Sequence, residues 1–164
     1  MIREATIDDA DALLALKAAL DRESSFMLLE PDERTTTATA ARDELRAITE
    51  RPNSVVLVAE DAGDLVGYVK ASGGDFRRNR HAAYVVIGVR RSHGGRGIGG
   101  RLLIELDRWA RANGVRRLEL TVMTSNERAA ELYQRLGYEI EGTRRVALVV
   151  AGDVVDEFWM AKLV

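Results

Sequence analysis

His93-Gly94-Gly95-Arg96-Gly97-Ile98-Gly99-Gly100 decides how the rest of the chain is read, because five of these eight residues carry no side chain. An apolar run, Ala82 to Val89, precedes it, and Ile98, Leu102, Leu103, Leu106, Trp109 and Ala110 follow at helical spacing. Strand, glycine-rich turn and helix in that order build an anion site. Glycines let backbone N–H groups turn toward a phosphate, and the first turn of the helix adds partial positive charge. A mobile surface loop is the plainer explanation of a glycine cluster; the flanking strand and helix favour the cradle.

Two familiar phosphate loops fit less well. A Walker loop ends in Gly-Lys-Ser/Thr, whereas Gly97 is followed by Ile98-Gly99-Gly100-Arg101, with no hydroxyl for a magnesium ion. Gly95, Gly97 and Gly100 satisfy the G-x-G-x-x-G spacing of a dinucleotide fingerprint, and Glu119 lies near the distance of its acidic partner. That fingerprint opens an early strand–helix–strand unit, however, and here it sits mid-chain after several strands with no intervening helix.

A second stretch, Asn126-Glu127-Arg128-Ala129-Ala130-Glu131-Leu132-Tyr133-Gln134-Arg135-Leu136-Gly137-Tyr138, reads as an Asn-capped helix closed by a glycine. Asn126 and Tyr133 stand two turns apart and share a face with Ala129 and Ala130. Together, V-x-x-x-x-G-G-R-G-I-G and N-x-x-A-x-x-L-Y-x-x-x-G-Y resemble the GNAT superfamily of acyl-CoA-dependent N-acetyltransferases. The resemblance is strong from Tyr84 to Tyr138 and extends to the rest in element order.

At 164 residues the chain is expected to be one domain, residues 1–164, with a single substantial core. A net charge of -2, with 46% hydrophobic and 30% charged residues, gives no electrostatic case for nucleic acid as a partner. The absence of cysteine excludes disulfides, catalysis by a cysteine thiolate and cysteine metal sites. His81 and His93 form no metal-ligand spacing, so no metal is expected. Met1 to Thr6 lacks the basic leader and apolar core of a signal peptide, and no apolar run approaches the ~20 residues of a membrane span. The expectation is a cytoplasmic protein with no membrane partner.

The elements follow in order. Ile2 to Ala5 predicts a short strand, and Thr6-Ile7-Asp8-Asp9 a capping box with Asp in place of Glu, opening a helix striped with Ala10, Leu13, Leu14, Lys17 and Leu20. A second helix is predicted over Thr37 to Thr49, with Ala41, Leu45 and Ile48 inward, ending before Pro52. Ser54 to Glu60 and Leu65 to Ser72 predict a hairpin about Asp61-Ala62-Gly63-Asp64, and His81 to Val89 a third strand. After the glycine loop come a helix to Asn113, a strand from Arg117 to Val122, the Asn126 helix, and strands over Tyr138 to Val150 and Val154 to Leu163. The short strand–helix–strand crossover predicts adjacent parallel strands within a mixed sheet. The expected class is α/β, an α+β mixed sheet. Resemblance to GNAT proteins implies about seven strands flanked by about four helices, with a splayed parallel pair.

The resemblance also implies a chemistry. Acetyl-CoA would be the cosubstrate, its pyrophosphate on Gly94, Gly95, Arg96, Gly97, Ile98, Gly99 and Gly100 and its pantetheine arm against Ile87, Gly88 and Val89. Gly88 is equally explained by packing. The loop pattern R/Q-x-x-G-x-G/A begins here with Gly94, so the usual Arg or Gln is absent, and Arg96 could replace its charge. Asn126 would contact the cofactor arm and Tyr133 would protonate the departing thiolate, since a phenol's reference pKa of ~10 is close to that of a thiol. Without the resemblance, Tyr133 reads as a core aromatic.

The base is less defined. Thr121 stands where the ribosomal-protein N-terminal acetyltransferases carry a glutamate, and Glu119 shares its strand face ~7 Å away. Glu119 is a candidate base or amine anchor, or else a strand-end ion pair with Arg116 or Arg117. His81, Glu23, Glu30 and ordered water are further candidates. Glu23, Phe26, Met27 and Glu30, in the irregular stretch after the first helix, would line the acceptor pocket or pack a loop onto the core. The closing segment with Glu157 is taken to be distant. The expected partner is a small-molecule amine, with protein N-termini or lysines, a non-catalytic acyl-CoA sensor, and a homodimer as open alternatives.

Overall fold

The computed structural model describes residues 1–164. Its sheet has seven strands: β1 (Ile2–Glu4), β2 (Val55–Asp61), β3 (Asp64–Gly73), β4 (Ala82–Val89), β5 (Arg117–Met123), β6 (Glu139–Val150) and β7 (Asp153–Leu163). They lie in the order β1-β2-β3-β4-β5-β7-β6. Val55 to Ala59 of β2 are buried at every position, as in a strand whose sheet is covered on both faces. Helices α1 (Ala10–Glu23) and α2 (Ala38–Thr49) cover one face. There Leu13, Leu16, Leu20 and Leu45 pack on Val56, Val58 and Tyr68. Helices α3 (Ile98–Ala112) and α4 (Glu127–Arg135) cover the other, where Leu102, Leu103 and Leu106 meet Leu57, Val69, Val85, Leu118 and Leu120. Each fully buried leucine of that stripe contributes about 1.5–3 kcal/mol by leaving water.

All pairs are antiparallel except β4 with β5. That parallel pair is joined only at Ala82–Arg117, Ala83–Leu118 and Tyr84–Glu119. Beyond it β4 stays paired to β3 through Val89, and β5 to β7 through Met123. The facing edges of Val85–Val89 and Leu120–Met123 therefore border a wedge in the middle of the sheet, the splay that the resemblance implied.

Three local features depart from the expected boundaries. Thr6 and Asp9 do close a box, with the Thr6 N–H donating to Asp9 Oδ2 at 2.7 Å, but Ile7–Asp9 is a 3-10 turn and α1 begins at Ala10. Helix α3 starts at Ile98, which puts Gly99 and Gly100 in its first turn instead of in the loop. Strand β6 is irregular between Arg144 and Leu148, where Val146 has φ 54° and its N–H donates to Asp156 Oδ1 at 2.8 Å. No helix is long and apolar enough to cross a membrane.

Candidate active site

The glycine stretch turns from β4 into α3 at the wide end of the wedge. Arg91–His93 form a 3-10 turn, and Gly97, at φ 74°, is the N-cap of α3 in the left-handed conformation that glycine adopts without a Cβ clash. Its cap offers no side chain to the helix, so the N–H groups of the first turn are free to meet an anion. A Cβ added at Gly97 would meet nothing within 4 Å, so the cradle is open on that side. Arg96 is exposed and only loosely associated with Asp61, at 3.8 Å. Arg128, which the sequence reading passed over, brings a guanidinium nitrogen to 3.6 Å from the position a Gly95 Cβ would take. Its signal was available: it lies in the first turn of the Asn126-capped helix, beside the loop that the same helix faces. Free N–H groups, a helix dipole and two arginines fit a diphosphate.

Along the wedge, β4 alternates in the usual way. Ala83 and Val85 face α3 and α4, with Ile87 and Val89 packed against the same cluster, while Val86 packs on the α1 side. Gly88 also faces α1: a Cβ there would stand 2.6 Å from Leu20 Cδ1 and 3.3 Å from Tyr68 Cε1, so close packing on that face favours glycine at this position. Asn126 caps α4, its side chain accepting from the Ala129 N–H at 3.3 Å.

Tyr133 is buried on the inner face of α4, with its ring 5.8 Å from that of Tyr138. Burial, with a smaller contribution from the nearby Tyr84 phenol, pushes the Tyr133 hydroxyl up to about 12. The group is therefore fully protonated at neutral pH and holds a proton to give. It belongs to the α3/α4 core cluster, so the core-aromatic reading and the acid reading are compatible.

On the opposite face, Tyr84, Glu119, Thr121, Trp159 and Glu157 come together. The Tyr84 hydroxyl and Thr121 Oγ1 are 2.8 Å apart, and the Tyr84 and Trp159 rings lie tilted at 6.1 Å. Glu119 Oε2 accepts from Arg117 Nε at 2.7 Å, and the same guanidinium holds Glu141. The ion-pair alternative for Glu119 is thus present in the fold, with Arg117 as its partner. Glu157 is not distant. Strand β7 inserts between β5 and β6, pairs Thr121 with Trp159 and Met123 with Glu157, and so carries Glu157 onto this face. There it is buried and ion-paired to Arg144 at 2.8 Å.

The remaining candidates scatter. Glu23 accepts from Arg90 Nε at 2.7 Å and from the Arg91 N–H at 2.9 Å, and these bonds hold its carboxyl below the usual range. It ties the end of α1 to the turn after β4. Met27 packs on the α1/α2 cluster, while Phe26 and Glu30 are exposed. His81 is exposed, and His93 Nε2 lies 3.3 Å from Asp61. No three His, Cys, Asp or Glu side chains converge as a metal site.

Comparison with known proteins accounts for this arrangement. The family model described as "Acetyltransferase (GNAT) family" matches residues 19–138. The L-amino acid N-acetyltransferase AaaT of Escherichia coli (strain K12) is 34% identical over 120 residues, 71% of this chain and 72% of that protein. The crystal structure of a GNAT-family acetyltransferase from Streptococcus pneumoniae superposes with a TM-score of 0.97 at 32% identity, covering 100% of this chain and 99% of that one. A protein of Salmonella typhimurium assigned as an acetyltransferase and solved with its cofactor acetyl-CoA is 22% identical, with a TM-score of 0.88 over 99% of this chain and 92% of that one. With the family model spanning most of its length and the wedge, glycine cradle and Asn126–Tyr133 helix in one fold, this chain belongs to the GNAT family of acetyltransferases.

Proposed function

We propose that the protein transfers the acetyl group of acetyl-CoA to the amine of a small molecule by direct attack on the thioester. The observation that carries this reading is the alignment of three features along one wedge: the open cradle about Gly97, the unpaired edges of Val85–Val89 and Leu120–Met123, and the buried, protonated Tyr133. Gly94 to Gly100, with Arg96 and Arg128, hold the diphosphate. Ile87, Gly88 and Val89 offer backbone groups to the pantetheine arm, and Asn126 reaches the same arm from the cap of α4. An amino acid is the acceptor class that the Escherichia coli relative's name supports.

The amine nitrogen attacks the thioester carbon, the carbon–sulfur bond breaks, the Tyr133 hydroxyl gives its proton to the departing sulfur, and a proton from solvent then restores the phenol. A hydroxyl at about 12 is a weak acid for this task in water. The same dry surroundings raise a thiol above its reference of ~8.5, so donor and acceptor move together and the transfer stays feasible. An amine of reference pKa ~10.4 arrives as an ammonium and gives one proton to solvent water before it attacks. Glu119 supplies the anchor: Oε2 is held by Arg117, and Oε1 accepts from the ammonium.

An amine and amino-acid panel with acetyl-CoA, following free thiol, tests the reading. Turnover at subsaturating amine rises with pH through about 7–9 as the neutral amine grows. Tyr133→Phe lowers turnover by about 10²–10⁴-fold while acetyl-CoA affinity changes little. Unaltered turnover in Tyr133→Phe, with chemistry limiting the rate, removes the acid from this position. A panel with no turnover but normal acetyl-CoA binding moves the acceptor to a protein or the chain to a sensor.

A further inference from the structure

Glu119, Glu141 and Glu157 are each engaged by an arginine, and so is Glu23 at the end of α1. Arg117 holds Glu119 and Glu141, Arg144 holds Glu157, and Arg90 with the Arg91 N–H holds Glu23. What remains at the apex is a pair of hydroxyls. Tyr84 and Glu119 form the last rung of the parallel ladder, and two residues further along β5 the Thr121 hydroxyl meets the Tyr84 phenol at 2.8 Å. This side-chain bond joins the two strands where their backbones stop pairing. Trp159, opposite Thr121 in β7, flanks the phenol ring at 6.1 Å. Tyr84 is 36% exposed, so a substrate can reach it, whereas Tyr133 is 8% exposed and enters from the other face.

Resting on the acetyltransferase reading above, we propose that Tyr84 is a catalytic residue on the acceptor side. Its phenol oxygen receives the hydrogen bond of the attacking amine and, through Thr121, passes the surplus proton to water. The two phenols then bracket the thioester, Tyr133 on the leaving-group side and Tyr84 on the nucleophile side. With its own proton donated to Thr121 Oγ1, Tyr84 turns an oxygen lone pair toward the amine N–H. As the carbon–nitrogen bond forms, the nitrogen loses a proton to Tyr84 Oη, the Tyr84 proton moves to Thr121 Oγ1, and the Thr121 proton leaves to solvent water. Each hydroxyl gains one proton and gives one up. Glu119 keeps the ammonium nearby but need not deprotonate it.

The test compares Tyr84→Phe, Thr121→Val and Thr121→Ser in the full chain, with thermal melts to confirm folding and calorimetry for acetyl-CoA. Two rates are read: amine acetylation, and the slow hydrolysis of acetyl-CoA without amine, in which water takes the nucleophile's place. Tyr84→Phe and Thr121→Val are each expected to lower both rates by about 10–100-fold, with acetyl-CoA affinity within about twofold of wild type. Thr121→Ser, which keeps the hydroxyl, restores both to within about threefold. The double variant Tyr84→Phe/Thr121→Val is no worse than either single change, because the two act as one unit. Unchanged acetylation in Tyr84→Phe overturns the proposal. A large loss in Tyr84→Phe with none in Thr121→Val overturns the relay. If no amine is turned over, the small-amine reading fails alone: hydrolysis still falling in Tyr84→Phe supports the assignment, and unchanged hydrolysis overturns it.

Discussion

Gly99 gives the cleanest perturbation of the cofactor site, because fold and binding respond to it differently. A Cβ there would lie 3.6 Å from Leu132 Cδ2, 3.9 Å from Val89 Cγ2 and 4.0 Å from Ile87 Cδ1, all ordinary contact distances. Gly99→Ala therefore fits without strain, and the gain in helix propensity is at most ~1 kcal/mol. Valine adds two methyl groups directed into the seam between β4 and α4, along which the pantetheine arm would enter. Leu132 is only partly buried and can turn aside, so the cost to the free fold stays near the lower end of the ~1–3 kcal/mol typical of overpacking. Binding has no such escape. Displacing the diphosphate from one charge-assisted backbone bond costs about 1.5–3 kcal/mol, or roughly 10–150-fold in Kd. Calorimetric titration with acetyl-CoA should find Gly99→Ala close to wild type and Gly99→Val weakened by that factor, with both folded in thermal melts. Gly99→Val binding within about threefold of wild type would refute the placement of the cofactor in this seam. Gly97 is a poorer probe, since its φ of 74° costs any β-branched residue ~1–2 kcal/mol before a ligand is considered.

Three other outcomes follow from the geometry. Replacing Glu119 by Gln removes the charge that anchors the ammonium, so the amine KM should rise about tenfold with kcat within about threefold; the opposite split would make Glu119 the base. Arg3 holds the Asp9 carboxyl down to about 2, and a depressed carboxyl stabilises the fold above its unfolded pKa near 3.8 and ceases to as pH falls through 2. Discounted for partial exposure, the pair contributes about 1 kcal/mol, so Asp9→Asn should melt about 2–4 °C below wild type at pH 6, the gap closing between about pH 4 and 2. The Tyr138 hydroxyl is buried with no partner, so Tyr138→Phe should be neutral or raise stability by up to about 1 kcal/mol in denaturant titration.

How much of this was legible in the sequence follows from the range of the interactions. The glycine turn and the Asn126 helix are set within one stretch of chain, by φ at Gly97 and by a cap reaching from Asn126 to Ala129, and composition alone reveals both. Strand pairing is not local. Glu157 looked remote because nothing in its own segment says that β7 will insert between β5 and β6; the insertion places it opposite Met123. Nothing in the sequence singles out Tyr84, because its partner Thr121 lies 37 residues away, in a strand reached through a crossover helix. Thr121 itself was noticed only for the carboxylate it lacks. Period-two alternation does put Thr121 and Glu119 on one face, but it cannot say that pairing to the neighbouring strand stops at Glu119. That termination, not any residue taken singly, brings two ordinary hydroxyls to the apex of the wedge, and there a mechanism without a free carboxylate finds its proton path.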